Sequence, residues 1–206
     1  MSMRISCYMM SKILAFFTVF ALMSCAKYKI DDPKLCAGYV AANTSNYVLP
    51  INVNYTIRVR ETNCTSNTHS GHWRYSYDFE MFENSGVYAA RAGTVVAVKE
   101  DVADGDALNL NYIYIRHADS TVARYKRMKK DGVTPVVGDV VTQGQALGTS
   151  GNTDRAPTAF LHFDVVENQQ SDQTVAVNFR NIGTSRAEAL APDTVYRAET
   201  FTPNAN

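Results

Sequence analysis

The 206-residue sequence predicts an all-β fold of two packed antiparallel sheets with little helix. From about residue 47 the chain consists of short runs rich in Val, Ile, Thr and Tyr, the residue types that favour strands. Turn signals such as Asn84-Ser85-Gly86 and Asp131-Gly132 separate these runs at short intervals. Short strands divided by regular turns are typical of a β-sandwich or β-roll.

Eight runs carry the strand pattern. Weak helical periodicity occurs only at 185–190. Tyrosines alternate along several of the runs, which places them in the core or on the wall of a groove. The predicted strands, in chain order, are Tyr47–Leu49, Asn54–Arg60, Tyr75–Glu80, Thr94–Lys99, Asn111–Arg116, Thr121–Lys126, Gln145–Leu147 and Leu161–Val166.

The charge pattern argues against a nucleic-acid partner. The chain has 20 basic and 20 acidic residues, and no more than two Lys or Arg residues follow one another directly. Nucleic-acid binding requires a basic stripe or patch that neutralises phosphates. We therefore expect no nucleic-acid partner.

Residues 1–24 are predicted to be a lipoprotein signal peptide. Arg4 and Lys12 precede an apolar run that is too short for a permanent membrane span. The run ends in Leu22-Met23-Ser24-Cys25, which resembles a lipobox, so Cys25 is the expected lipidation site. Alanine rather than aspartate follows Cys25, which favours the outer membrane, on its periplasmic side or its surface. A plain cleaved signal with a chance cysteine is the alternative, and it also predicts export.

The remaining chain divides into three predicted parts. Residues 25–46 are small and polar and read as a lipidated N-terminus with a tether. Residues 47–191 form the β domain. Residues 192–206 are a polar C-terminal segment.

Cys36 and Cys64 are predicted to form a disulfide. Cys7 is lost with the signal and Cys25 carries lipid, so these two thiols remain in an oxidising compartment. The bond would stabilise the fold by on the order of 3 kcal/mol. Two separate buried thiols are the alternative, since neither cysteine has a metal-ligand spacing such as C-x-x-C.

Five segments, in order, resemble those of a known family: 75–79 (YSYDF), 87–96 (VYAARAGTVV), 111–117 (NYIYIRH), 137–145 (VGDVVTQGQ) and 147–153 (LGTSGNT). Together they resemble the lysostaphin-type, or LytM-like, zinc peptidoglycan endopeptidases, from about Tyr47 to Arg180. The resemblance implies the β fold of that family, zinc as cofactor and peptidoglycan as partner.

The resemblance also implies a metal site. Asp78 matches the family's aspartate ligand, and His162 matches the second histidine of its H-x-H pair. The short form of the motif places the third ligand at Arg74, which stays protonated and cannot bind zinc. A longer form offers His69, with His72 as the substitute. Two exposed loop histidines, neither of them a ligand, are the alternative reading.

The family's catalytic histidines are replaced. The first histidine of H-x-H falls on Phe160, and the histidine of the Tyr-x-His-Leu run falls on Arg127. Neither side chain accepts a proton near neutral pH, so no catalytic residue is secure. Losing acid–base help costs on the order of 10² to 10⁴ in rate per group. His117, common in the family without binding zinc, is assigned a structural role.

Three hypotheses follow. The first is a catalytically degenerate envelope lipoprotein that binds peptidoglycan or regulates an envelope hydrolase. The second is a zinc metalloendopeptidase that cleaves peptidoglycan peptide cross-links with a metal held by His69, Asp78 and His162. The third is a structural β domain of the envelope.

Overall fold

The computed structural model describes residues 37–63, 69–106, 108–153 and 159–204. The predictions for the signal peptide, for Cys25 and for a Cys36–Cys64 disulfide lie outside these residues. Within them, no helix is both long and apolar enough to cross a membrane.

The described residues form eleven strands and two short 3₁₀ turns, Ala42–Thr44 and Gly71–Trp73. The strands are β1 (Thr56–Glu61), β2 (Tyr77–Glu80), β3 (Gly86–Tyr88), β4 (Gly93–Lys99), β5 (Tyr112–Arg116), β6 (Val122–Lys126), β7 (Met128–Val133), β8 (Val140–Val141), β9 (Ala146–Ser150), β10 (Phe160–Val166) and β11 (Val195–Arg197).

The strands form two antiparallel sheets, which confirms the predicted fold class. The large sheet has the order β11-β1-β2-β10-β6-β5-β4-β8, and the small sheet has the order β3-β9-β7. The pairs within both sheets are antiparallel. Strands β2, β10, β6 and β5 lie at the centre of the large sheet, and the candidate site lies on them.

Strand β10 shows how the sequence divides the two faces of the large sheet. Leu161, Phe163 and Val165 are fully buried in the core, and the residues between them point to the opposite face. The core side is rich in aromatic rings that pack within about 5–7 Å of each other, as seen for Tyr77, Phe79, Phe163 and Phe179. The opposite face carries the polar side chains of β10, including His162 and Asp164.

Arg127 is the point at which the chain leaves the large sheet for the small one. It lies between β6 and β7 with φ 72°, a left-handed conformation that costs a non-glycine residue about 1–2 kcal/mol. The amides of Arg127 and Met128 both donate to the carbonyl oxygen of Asn111, at 2.8 and 3.2 Å. This fixes Arg127 beside the face that carries His162.

The packed unit extends beyond the predicted boundaries at residues 47 and 191. Tyr39 is buried with its ring edge-on to Tyr75, and Ala42 is fully buried. At the other end β11 pairs with β1, and Ala198 is fully buried. These segments are short and largely polar, so no hydrophobic period marks them in the sequence. Conversely, among the described residues the predicted strand Tyr47–Leu49 forms a single bridge, to Phe179.

Candidate metal centre

Two neighbouring strands and one loop bring three side chains together. Asp78 of β2 lies opposite His162 of β10 in the antiparallel register, so both side chains point to the same face. His69 precedes the 3₁₀ turn Gly71–Trp73. Asp78 Oδ1 lies 2.7 Å from His162 Nδ1 and 3.4 Å from His69 Nε2.

This cluster fits a zinc ion in its donor set and its spacing. One ligand atom from each of His69, Asp78 and His162 lies within 4.8 Å of the other two. Ligand bonds of about 2.1 Å in tetrahedral geometry put ligand atoms roughly 3.4 Å apart. Two imidazole nitrogens and one carboxylate oxygen, with a fourth position open, are a donor set that zinc accepts in catalytic sites. The residues present therefore suit a zinc ion.

Asp164 contacts the ring nitrogen of His162 that does not face Asp78. His162 Nε2 lies 3.1 Å from Asp164 Oδ2, and Asp164 is fully buried. The Asp164 carboxylate also accepts hydrogen bonds from Arg124 (2.5 and 3.0 Å) and Lys126 (3.0 Å). Both ring nitrogens of His162 can donate within the cluster, Nε2 to Asp164 and Nδ1 to Asp78 Oδ1 at 2.7 Å. With a metal bound, Nε2 would keep its proton on Asp164 and the lone pair of Nδ1 would be left for the metal. A carboxylate in this outer position commonly fixes the tautomer of a metal-binding histidine.

The electrostatics of the cluster keep its carboxylates ionised. Burial by itself would raise the pKa of Asp78, but hydrogen bonds from His162 and His69 outweigh it and hold that pKa well below its usual range. The pKa of Asp164 is likewise lowered despite burial, through His162, Lys126 and Arg124. Burial would lower the pKa of His162, yet its contacts with Asp164 and Asp78 raise it. Both carboxylates are charged at neutral pH, the state that binds a cation.

His72 and Arg74 lie outside the cluster. The His72 ring is exposed and packs edge-on against Trp73 at 4.7 Å between ring centroids. Arg74 donates to the carbonyl oxygen of Gly71 at 3.2 Å. Of the two candidates for the third ligand, the structure thus places His69 beside Asp78 and leaves His72 on the surface.

Arg127 and Phe160 contact each other directly. The guanidinium carbon of Arg127 lies 3.7 Å from the centroid of the Phe160 ring, and that of Arg60 lies 4.9 Å from it. Phe160 is two residues before His162 on β10 and therefore shares its face. A cation–π contact of this kind contributes about 0.5–2 kcal/mol. The two residues of this contact stand at the positions that the sequence resemblance matched to the family's catalytic histidines.

Comparison with known proteins gives the family. The model for peptidase family M23 matches residues 72–174, half of the chain. The chain belongs to peptidase family M23. The matched segment contains Asp78, Arg127, Phe160 and His162, and it begins after His69.

Two curated relatives are similar in sequence to part of this chain. The chain is 31% identical over 122 residues to the peptidoglycan DD-endopeptidase ShyC of Vibrio cholerae, covering 57% of this chain and 26% of the relative. It is 32% identical over 89 residues to ShyA of the same organism, covering 43% and 19%. The chain therefore spans about a quarter or less of the relatives it matches.

A solved M23 structure supports the fold. Pseudoalterin, an M23 metalloprotease from the deep sea, superposes with a TM-score of 0.51 at 20% identity, covering 79% of this chain and 99% of that one. At that identity the likeness concerns the fold alone. M23 peptidases are zinc enzymes, which agrees with the donor set of the cluster.

Glu61, which precedes the segment matched by the family model, lies beside the cluster on the neighbouring strand, and the sequence does not reveal this. It ends β1, where a bulge brings it into register with Asp78, and it is half-buried. Opposed residues of an antiparallel pair have Cβ atoms about 5 Å apart. No motif marks this glutamate, because its position depends on the bulge.

Proposed function

We propose that this protein is an exported, lipid-anchored M23 domain that retains a zinc site but lacks efficient catalysis, and that it binds peptidoglycan or regulates an envelope hydrolase. The observation that carries the proposal is the stacking of Arg127 on Phe160. These two positions match the family's catalytic histidines, and neither residue can take a proton near neutral pH.

The chain's residues divide into those that bind and those that would have to transfer protons. His69, Asp78 and His162 would hold the metal, and zinc when bound would polarise a substrate carbonyl group. Arg127 offers a fixed positive charge that favours a nearby anionic oxygen. The chain has four histidines, and the other two are the exposed His72 and the distant His117. The residues present therefore support metal binding. They do not support proton transfer by an imidazole at positions 127 and 160.

Peptidoglycan is the favoured partner for two reasons. The two curated relatives are named peptidoglycan DD-endopeptidases. In addition, Tyr112 and Tyr114 stack at 4.4 Å on the face that carries His162, two strands away from it across Lys126. Half-buried, stacked aromatic rings beside the charged side chains of Lys126 and Arg124 suit the flat faces of a sugar or a peptide bond.

An active endopeptidase is the second candidate, and Glu61 favours it. Its carboxylate is in register with Asp78 and could accept a proton in place of the missing imidazoles. This candidate predicts hydrolysis that depends on both His162 and Glu61.

The test measures zinc content, binding to purified peptidoglycan and release of soluble fragments on the same zinc-treated samples. We expect the wild type to hold one zinc, to co-sediment with peptidoglycan and to release almost no fragments. His162→Ala should lose zinc, and the matched control His72→Ala should retain it, because His72 lies outside the cluster.

Two outcomes would overturn the proposal. Rapid fragment release by the wild type that is lost in both His162→Ala and Glu61→Gln supports the second candidate. A protein that neither binds peptidoglycan nor alters the activity of an envelope hydrolase contradicts the first. The anchor is tested separately by palmitate labelling, which should be absent from Cys25→Ser.

A further inference from the structure

A polar cavity lies at the other end of β5 from the metal centre. Tyr112, at the start of β5, is level with His162 across β6, whereas His117 follows the last residue of the strand. Five residues at about 3.4 Å each separate the two levels by roughly 17 Å. The cavity has a volume of about 760 Å³, within the range of small-ligand sites. Its polar lining includes Asn46, Arg91, Arg116, His117, Gln143 and Asn204.

His117 lines this cavity and carries a buried, unsatisfied hydrogen-bond acceptor. Its Nδ1 lies 2.8 Å from the carbonyl oxygen of Ala92, which can only accept, so Nδ1 carries the proton. Nε2 is then a bare lone pair, and it is buried without a hydrogen-bond partner among the described residues. Only 4% of His117 is exposed. A buried unpaired polar atom costs about 1–3 kcal/mol, so this nitrogen favours a ligand that donates a hydrogen bond.

The pKa of His117 agrees with a neutral ring that carries its proton on Nδ1. Burial lowers the pKa of His117 to about 4, with the nearby Arg91 acting in the same direction and the Ala92 contact and Asp119 opposing it. The ring is therefore neutral at pH 7 and keeps its acceptor.

Arg116 supplies a cation to the same cavity. Its side chain is exposed and has no hydrogen bond or ion pair within the described residues. Arg91, by contrast, is held by Asp119 at 2.6 Å and by the Tyr47 hydroxyl at 3.4 Å. One guanidinium of the cavity is thus engaged and the other is available to an anion.

Hydrogen bonds hold the side-chain amides that line the cavity in fixed positions. Gln143 donates from Nε2 to the carbonyl oxygens of Asn46 and Ala90, both at 2.8 Å. Arg180 donates to Gln143 Oε1 at 2.5 Å and to Asn204 Oδ1 at 2.6 Å. These bonds fix the amide groups before any ligand arrives, which lowers the entropic cost of binding.

We propose that this cavity binds a small carboxylate that carries a hydrogen-bond donor nearby, with the carboxylate at Arg116 and the donor at Nε2 of His117. The terminal residue of a peptide, which has an amide N–H, and a sugar acid, which has hydroxyl groups, share this chemistry. The inference concerns a site separate from the metal centre and does not depend on the proposed function.

The experiment titrates full-length protein labelled with ¹⁵N at histidine. The probes are N-acetyl-D-alanyl-D-alanine and N-acetylmuramic acid, each compared with its methyl ester. We expect saturable binding of at least one acid, accompanied by a shift of the His117 Nε2 resonance. Binding should weaken at least tenfold for the ester and for Arg116→Gln. Arg197→Gln, which removes another exposed arginine outside the cavity, should leave binding unchanged.

The outcomes separate the possible occupants. Selective binding of the dipeptide or of the sugar acid identifies the source of the carboxylate. The proposal is overturned if neither acid shifts Nε2, if ester and acid bind equally, or if Arg116→Gln binds as well as Arg197→Gln. It is also overturned if a crystal soaked with both acids holds only an ordered water on Nε2. Zinc binding, which rests on His162, would be unaffected by any of these results.

Discussion

At the residue scale, the four histidines show how environment assigns chemistry to identical side chains. His69 and His162 meet Asp78 in the metal cluster, whereas His72 faces solvent beside Trp73. His117 is buried at the far end of β5 with one nitrogen committed to a backbone carbonyl. Sequence resemblance could assign His162 and propose either His69 or His72. It favoured His69 and kept His72 as the substitute, because a loop with Gly71 can present either ring.

His117 predicts a specific pH dependence of stability. Its pKa is about 4 in the folded protein, against about 6.5 in the unfolded chain. Between these values the unfolded chain binds a proton that the folded protein does not, so the free energy of unfolding falls as pH falls from 6.5 toward 4. The loss amounts to about 3 kcal/mol at most, and no contribution is lost above pH 6.5.

Urea denaturation between pH 4.5 and pH 7 measures this effect. His117→Gln can still donate to the Ala92 carbonyl but does not titrate, so its stability should change less over the range than that of the wild type. His72→Gln, at an exposed position, should follow the wild type. An identical pH dependence for His117→Gln and the wild type would show that His117 is not the titrating group.

At the element scale, the pairing of β7 with β9 depends on a glycine. Gly148 has φ 144°, and a Cβ at that position would lie 2.0 Å from the carbonyl oxygen of Gly132. Because the obstacle is backbone, no side-chain rotation relieves the clash. Gly148→Ala should destabilise the protein by about 3 kcal/mol or more.

Gly105 is the matched control. It also has a positive φ, 82°, but a Cβ there would meet no atom within 4 Å. Gly105→Ala should therefore cost only the backbone strain, about 1–2 kcal/mol. Thermal or urea unfolding of both variants separates the two effects. Equal losses would mean that the close approach of β7 and β9 at Gly148 is incorrect.

The elements that sequence reasoning found are those with a clear β-type pattern. Strands β1, β2, β4, β5, β6, β9 and β10 overlap predicted runs. Strand β7 was missed because its sequence, Met-Lys-Lys-Asp-Gly-Val, is mostly polar and gains its order from pairing with β9. Strand β11 was missed because a three-residue edge strand has no period to detect. The bulge that aligns Glu61 with Asp78 is equally invisible, since register depends on tertiary pairing.

At the scale of the whole molecule, family membership and fold class were predicted from the sequence, and the arrangement of the site was predicted only in part. The resemblance identified Asp78 and His162 and recognised that Arg127 and Phe160 replace histidines. It did not reveal that these two replacements stack on each other, or that Asp164 holds His162 through a buried ionic cluster. The contacts of Phe160 with Arg127, and of Asp164 with Arg124 and Lys126, join residues more than 30 positions apart and depend on how β6 pairs with β10.

Under the proposed function, metal binding would rest on β2, β10 and the loop at His69, and Arg127 and Phe160 would stand at the positions that transfer protons in the family. Replacement of those two positions would leave the three metal ligands in place. Arg127→His is compatible with the backbone there, because histidine is among the residues that tolerate positive φ.

The most direct test of this account is the rate at which zinc-loaded protein releases soluble fragments from purified peptidoglycan, compared between the wild type and the Arg127→His, Phe160→His double variant. We expect the double variant to release fragments at least about 100-fold faster, since each restored acid–base group contributes about 10² to 10⁴ in rate. A wild type that already matches the double variant, and that loses its activity in His162→Ala, would contradict the account.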